Sequence, residues 1–299
     1  MPLDAVLPAF SIALVGYLAG KRLNLDKGTI SRMCLYILTP ALTFNSLSTS
    51  TVDLSAAWRL SLIALLLPLL LTPLFSAIFR LMKLDGATSR ALLLPTIFSN
   101  AGNYGLPICL FAFGQEGMDL ATVFFVMQGV VIATYGVYVA ASSRMDAKAA
   151  LRLVLKMPTV YAAAAGLSVK FFGIPVPQVI MRPITLLANG AIGVFLFLLG
   201  LQLVGTASSA SVWKPVSLTV VLRLLAAPVA AGAVGKVIGL SGMPWKILVL
   251  QAAMPPPVNA TILAQEFDAK PGLVSNATLV GTLASLITLT FWVTALNGL

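Results

Sequence analysis

The chain has 299 residues, 59% of them hydrophobic and 9% charged, with a formal net charge of +10 and a mean hydropathy of +0.99. Soluble domains carry roughly a quarter charged residues, so this chain cannot cover a water-facing surface and reads as an all-α polytopic membrane protein. It has no histidine, which excludes His-dependent triads, His-based metal sites and imidazole proton shuttles.

No Walker-type phosphate loop is present either. The chain therefore reads as a non-enzyme with no metal and no cofactor. Its basic residues are scattered between apolar segments, which suits membrane orientation rather than nucleic acid.

Apolar runs between polar breaks predict ten spans near 3–20, 29–48, 56–80, 89–114, 120–142, 150–171, 178–204, 212–239, 244–267 and 273–296. The first has no basic region ahead of its apolar run and reads as a span rather than a cleaved signal peptide. The second contains LTPALTFNS, which joins Thr39, Pro40, Thr43 and Asn45; these line a cavity or hold helices together. The third, LSLIALLLPLLLTPLFSAIF, reaches the roughly 20 residues needed to cross a bilayer. Its Pro68 and Pro73, like Pro228 in the eighth, read as ordinary kinks. Arg59 at the outer end of the third is a solvated flank or a gate that attracts anions.

The fourth span interrupts itself with SNAGNYGLP, residues 99–107, and the ninth with MPPPVNATI, residues 254–262. The seventh carries ANGAIG, in which Asn189 sits among glycines suited to close packing. Arg223, deep in the eighth, is a functional charge or one that snorkels to an interface. Gln251 and Gln202 either line a cavity or glue helices. Cys34 and Cys109 read as small buried apolar residues.

With the N-terminus outside, three inside loops hold Lys21, Arg22, Lys27 and Arg32, then Arg80, Lys83 and Arg90, then Arg144, Lys148, Arg152 and Lys156. Glu116 and Asp119 fall in an outer loop. The first half obeys the positive-inside rule and places both termini outside a cell inner (plasma) membrane. In the second half Lys170, Arg182, Lys236 and Lys246 fall on the outer side.

A shift of 156 residues aligns LDGATSRALLLPTIFSNAGN with LSGMPWKILVLQAAMPPPVN, matching Gly86 to Gly242 and Asn103 to Asn259. The fourth span maps onto the ninth. Five spans per half force the halves, 1–145 and 146–299, to insert in opposite orientations, the inverted-repeat plan of many secondary transporters.

Prolines remove amide donors and push preceding residues out of the helix. Such breaks survive in a membrane only where they are buried in protein or line a water-filled cavity. Paired breaks at matching positions mark a transporter's binding site, and each offers free N–H groups at a half-helix start, which suits an anion. Pro107 fits the first turn of such a half-helix. Gly102, Gly105, Pro107, Pro255, Pro256 and Pro257 maintain the breaks. Asn100, Asn103, Tyr104, Gln251, Val258 and Asn259 are the candidate contacts around them. Mid-span carboxylates are missing, which counts against a proton antiporter and leaves sodium coupling unsupported.

SNAGNYGLP with its following acidic stretch, GLQL after the ANGAIG helix, and QAAMPPPVNATILAQEFDAKPGLVSNATLVGTLASLITLTFWV together resemble the auxin efflux carrier family. That family includes the plant PIN-FORMED auxin exporters and bacterial permeases assigned to malate and other organic acids. The short connector at 143–150 is similar to the bacterial type. The resemblance implies a bile-acid-symporter-like fold. In it helices 1, 2, 6 and 7 form a scaffold, and helices 3–5 and 8–10 form a mobile unit with crossing fourth and ninth helices.

The resemblance makes Asn100 a substrate contact and places Thr39 and Arg59 at functional positions. It also marks departures: Met157-Pro158-Thr159 stands where plant carriers have Asn-Pro-Asn, Asn189 replaces an Asp, and the acid near Arg59 is absent. Thr159 and Asn189 thus join the candidate substrate contacts, with Arg59 and Arg223 as gating or anion-attracting cations. The implied function is a secondary carrier of small organic anions, such as indole acids or dicarboxylates, working by elevator-like alternating access. A passive anion channel and a non-transporting membrane sensor are the alternatives. A homodimer is expected from the apolar scaffold face.

Overall fold

The computed structural model describes residues 2–50, 52–141, 154–204 and 213–298. The connector at 143–150, with Arg144 and Lys148, and the following Arg152 lie outside the described residues. Among those described there are helices and no strands. The helices are α1 (Pro2–Arg22), α2 (27–49), α3 (Leu54–Leu81), α4 (86–113), α5 (115–140), α6 (Pro158–Phe172), α7 (Gln178–Gln202), α8 (Trp213–Val237), α9 (242–266) and α10 (Pro271–Asn297). Both α4 and α9 are interrupted. Their halves are α4a (Gly86–Ile97) and α4b (101–113), then α9a (Gly242–Ala252) and α9b (Val258–Glu266).

Five stretches are long and apolar enough to cross a membrane by length and composition: Ser55–Leu81, Gly86–Ala140, Gln178–Gln202, Trp213–Val237 and Pro271–Asn297. The second holds two helices, because Gly114 at φ 67° and ψ −159° reverses the chain. Only glycine takes that conformation without strain. This corrects the expectation of an acidic outer loop: the turn is one residue, and Asp119 is buried in the first turns of α5.

Local chemistry explains three of the helix starts. Asp26, Asp53 and Asp85 cap the starts of α2, α3 and α4a through their carboxylates. Asp85 also meets Lys270 Nζ at 3.3 Å. The Thr88 hydroxyl first, then the Thr88 amide and Lys270, hold the Asp85 carboxyl below the usual range. Its contribution is therefore complete at neutral pH and lost only as pH falls through that lowered value.

Four helical turns are widened among the described residues: Cys34–Leu38, Ala101–Gly105, Ile132–Gly136 and Leu222–Ala226. Three of them end two residues before a proline, namely Pro40, Pro107 and Pro228. A proline ring clashes with the carbonyl four residues back, and a widened turn relieves that clash.

Packing divides into recognisable neighbours. α1 lies along α7, and α2 packs on α6 and α7; α3 packs on α4 and α5, while α8, α9 and α10 contact one another. The α1/α7 contact is the tightest. A Cβ on Gly16 would sit 2.0 Å from Phe197 O, and one on Gly200 would sit 1.7 Å from Ala13 O. Small residues allow such approach between membrane helices. The expected close-packing glycines of ANGAIG are not the ones used: Gly190 and Gly193 face open space. Large apolar side chains such as Leu14, Leu70, Ile287 and Phe291 are exposed, as a lipid-facing surface requires.

Overpacking a tight contact costs about 1–3 kcal/mol. Gly200→Val should therefore lower the melting temperature in detergent by several degrees, whereas Gly190→Ala should leave it unchanged or raise it. Differential scanning fluorimetry of the purified chain checks both.

Candidate functional site

The two interruptions meet. α4a ends at Ile97, Phe98 is extended, and Asn100 stands at φ −75° and ψ 61° before the chain resumes as helix at Ala101. α9a ends at Ala252, and Pro257 is extended before α9b. The Asn100 amide donates to Pro255 O at 2.8 Å, joining the breaks by their backbones. Gln251 Nε2 donates to Ala101 O at 3.4 Å. The crossing is tight enough that a Cβ on Gly105 would lie 2.2 Å from Gln251 Oε1.

Backbone groups freed by a break in hydrocarbon must find partners. Gln128 on α5 satisfies Ser99 completely: its Oε1 accepts from the Ser99 amide at 3.2 Å and hydroxyl at 2.8 Å, and its Nε2 donates to Ser99 O at 2.8 Å. The carboxyl ends of α4a and α9a are served by one group. Arg223, 1% exposed, donates from Nη1 to Thr96 O at 3.1 Å and from Nη2 to Ala252 O. Each helix end carries about −0.5 charge, so the guanidinium balances two of them while filling their vacant acceptors.

Arg223 owes its place to Pro228, which is more than an ordinary kink. Pro228 widens the turn Leu222–Ala226 that presents Arg223. It also leaves Leu224 O without an amide donor, and Trp292 Nε1 fills that role at 2.9 Å.

The amino ends remain open. Neither Asn100, ahead of Ala101, nor Pro257, ahead of Val258, makes a side-chain capping bond. Asn100 is 6% exposed, and its Nδ2 donor has no partner; Gln251 Oε1 is likewise buried and unpartnered. Two helix starts and a spare amide donor at one place suit an anionic group.

A separate cavity of about 270 Å³ lies between α2, α4b, α5 and α7, lined by Asn45, Gln115 and Asn189 with Leu42, Leu110, Met118, Ala188, Ile192 and Gly193. Leu110 stands ten residues beyond Asn100, about 15 Å along the helix at 1.5 Å per residue. The cavity therefore sits toward the Gly114 end of α4b.

The predicted residues consequently separate. Asn100, Gln251 and Pro255 converge at the crossing; Pro256 packs against Gly281 of α10, and Gly102 lies under the Phe125 ring. Asn103 and Val258 are half-buried beside it, and Asn259 is exposed at the start of α9b. Asn189 lines the distal cavity instead. Thr39 and Thr159 are buried on α2 and α6. Tyr104 belongs to the packed core, its hydroxyl 3.2 Å from Ser285 Oγ and its ring edge-on to Phe10 at 5.7 Å. Arg59 donates to Gly239 O at 3.0 Å, tying α3 to the α8–α9 turn. Pro107 follows the widened turn rather than starting the half-helix, which resumes at Ala101.

Sequence reasoning missed Gln128, Ser46 and Asp119. Gln128 carried no local signal, since its partner is 29 residues away.

Removing Arg223 leaves two buried carbonyl ends unserved. Arg223→Leu should cost about 3 kcal/mol or more, and Arg223→Lys should recover part of it. Thermal unfolding in detergent with matched expression measures the difference.

Comparison with known proteins adds the family. Residues 2–293 match the family described as membrane transport protein. An uncharacterized transporter of Methanocaldococcus jannaschii is 24% identical over 307 residues, covering 98% of both chains. One from Methanothermobacter thermautotrophicus is 26% identical over 297 residues, covering 97% of this chain and 96% of that protein. The auxin efflux carrier component 2 of rice, Oryza sativa subsp. japonica, is 29% identical over 148 residues, 48% of this chain and 24% of the carrier. With nearly every residue inside the match, the chain belongs to this family of membrane transport proteins, that of the auxin efflux carriers.

Proposed function

We propose that this protein is a secondary carrier of small organic anions, with the solute's carboxylate received where α4 and α9 cross. The observation that carries the reading is Asn100. Its backbone is committed to Pro255 O, while its side-chain Nδ2 is buried and unpartnered. A buried donor without a partner costs about 1–3 kcal/mol, a cost that an incoming carboxylate relieves. The uncapped starts of α4b and α9b add positive ends beside the point where the two breaks touch.

On this reading all ten helices span the membrane as two inverted repeats. The 156-residue shift supports it, since Gly86 and Gly242 both open the half-helices that enter the crossing. α1, α2, α6 and α7 form the scaffold. α3–α5 and α8–α10 move across it with the solute, elevator-fashion, between two faces of a cell inner membrane with both termini outside. Arg223 then acts as the rivet of the moving unit rather than as a gate. The scaffold face supplies a homodimer contact.

The cavity supports a refinement of the cargo. Its polar lining is three carboxamides with no cation, and the rest is apolar. That suits one carboxylate on an apolar body better than a dicarboxylate. The half-length match to proteins named auxin efflux carriers supports the same class.

In proteoliposomes, Asn100→Ala should abolish uptake of indole-3-acetate or malate while leaving the elution profile unchanged and the melting temperature the same or higher. Transport at the parent rate would remove Asn100 from the site. Running the panel with and without sodium and a proton gradient identifies the coupling ion, and trans-stimulated, saturable flux separates a carrier from a channel.

A further inference from the structure

Asp119 is the one buried carboxylate among the described residues whose burial is assigned. Burying a carboxylate is costly unless its charge is met by hydrogen bonds. Gln115 Nε2 donates to Oδ1 at 2.8 Å from the same helix, and Ser46 Oγ donates to Oδ1 at 2.5 Å from α2, while Ser50 at the end of α2 and the Lys170 ammonium of α6 also face the carboxylate. The Ser46 bond joins the helix groups assigned above to scaffold and moving unit.

Apolar contact across the same surface is slight. Leu47, Val123, Val126 and Ala163 form a small cluster detached from the main core, between α2, α5 and α6. Beside Leu47, the α2 side of this seam is lined by hydroxyls. Thr39, Thr43 and Ser46, spaced four and three residues apart, share one helix face, and all three are buried. Thr43 Oγ1 has no partner. A hydroxyl-lined seam fastened at a single carboxylate, with Ser46 as its closest scaffold partner, is a surface made to part. Gln115 and Asn45, beside the two latch residues, both line the cavity, so parting the seam opens the cavity wall.

We propose that the Ser46–Asp119 hydrogen bond is a latch holding α5 against α2, and that its release opens the seam lined by Thr39 and Thr43. Asp119 and Ser46 are positioning residues that set how often the closed state opens. The proposal rests on the carrier reading for its purpose, but its geometry can be tested without any solute.

The reporter is Thr43→Cys in a background where Cys34 and Cys109 are alanine, reconstituted into liposomes and labelled with a membrane-impermeant maleimide. Adding Ser46→Ala should raise the labelling rate roughly tenfold, the population shift expected for loss of one charge-assisted bond. Ser46→Thr, which keeps the hydroxyl, should label at the parent rate. Equal rates in all three chains overturn the latch. If the cysteine-free background fails to fold, hydrogen–deuterium exchange over residues 42–49 is compared for Ser46→Ala and Ser46→Thr in the native chain. Faster exchange in the alanine variant alone supports the latch, and identical exchange overturns it. Ser46-dependent opening in a chain that moves no anion would leave the latch standing and sink the carrier reading. Measurable transport with Ser46-independent opening would do the reverse.

Discussion

The structure depends on one buried cation. Two half-helices, α4a and α9a, run into the protein interior and stop, each presenting unserved carbonyls and a partial negative charge. In water those ends would be hydrated; inside a membrane protein they need a donor with charge and reach. Arg223 supplies both from a third helix, touching Thr96 O and Ala252 O together. A guanidinium suits the task because its fork of donors lies in one plane and does not lose its proton. That shared contact joins the two half-helix ends, beside the backbone bond between Asn100 and Pro255.

Proline places the cation. The ring at Pro228 forces the preceding turn to widen and frees the Leu224 carbonyl, which Trp292 takes up. The same relation of widened turn to proline recurs before Pro40 and Pro107. Each proline therefore leaves a carbonyl to be served from elsewhere. Gln128 meets a different need, that of Ser99 in the gap between α4a and α4b, with one side chain acting as donor and acceptor together. The carboxyl ends and the backbone at Ser99 are thus satisfied by the protein, and the amino ends are left for something else. That asymmetry is what the proposed anion site at the crossing rests on.

Much of this was legible in the residues. Two clusters of Asn, Gly and Pro within apolar runs cannot be ordinary helix, and a shift of 156 residues brings them into correspondence. Both interruptions occur where the sequence places them. What misled was local reading of residues whose partners are remote. Asp119 resembles a loop charge because it follows glycines and Glu116, yet the turn is Gly114 alone and the carboxylate faces Ser46, 73 residues earlier. Tyr104 sits in a polar motif but points into the core at Ser285. The glycines of ANGAIG look suited to close packing, while Gly16 and Gly200 are the ones pressed against a neighbouring backbone.

By itself the sequence determined that the chain lives in a membrane, that two helices break, and that the breaks correspond. These follow from hydropathy and from the covalent chemistry of proline, which act over a few residues wherever the chain goes. Tertiary structure decided which polar side chains face each break. Arg223 could have snorkelled to an interface, and Asn189 could have joined Asn100 at the crossing. Only the packing of α8 against α4 and α9, and of α7 around a different cavity, settled their places. In a medium without water a buried polar group left without a partner is costly, and which partner it meets is fixed by contacts many residues apart.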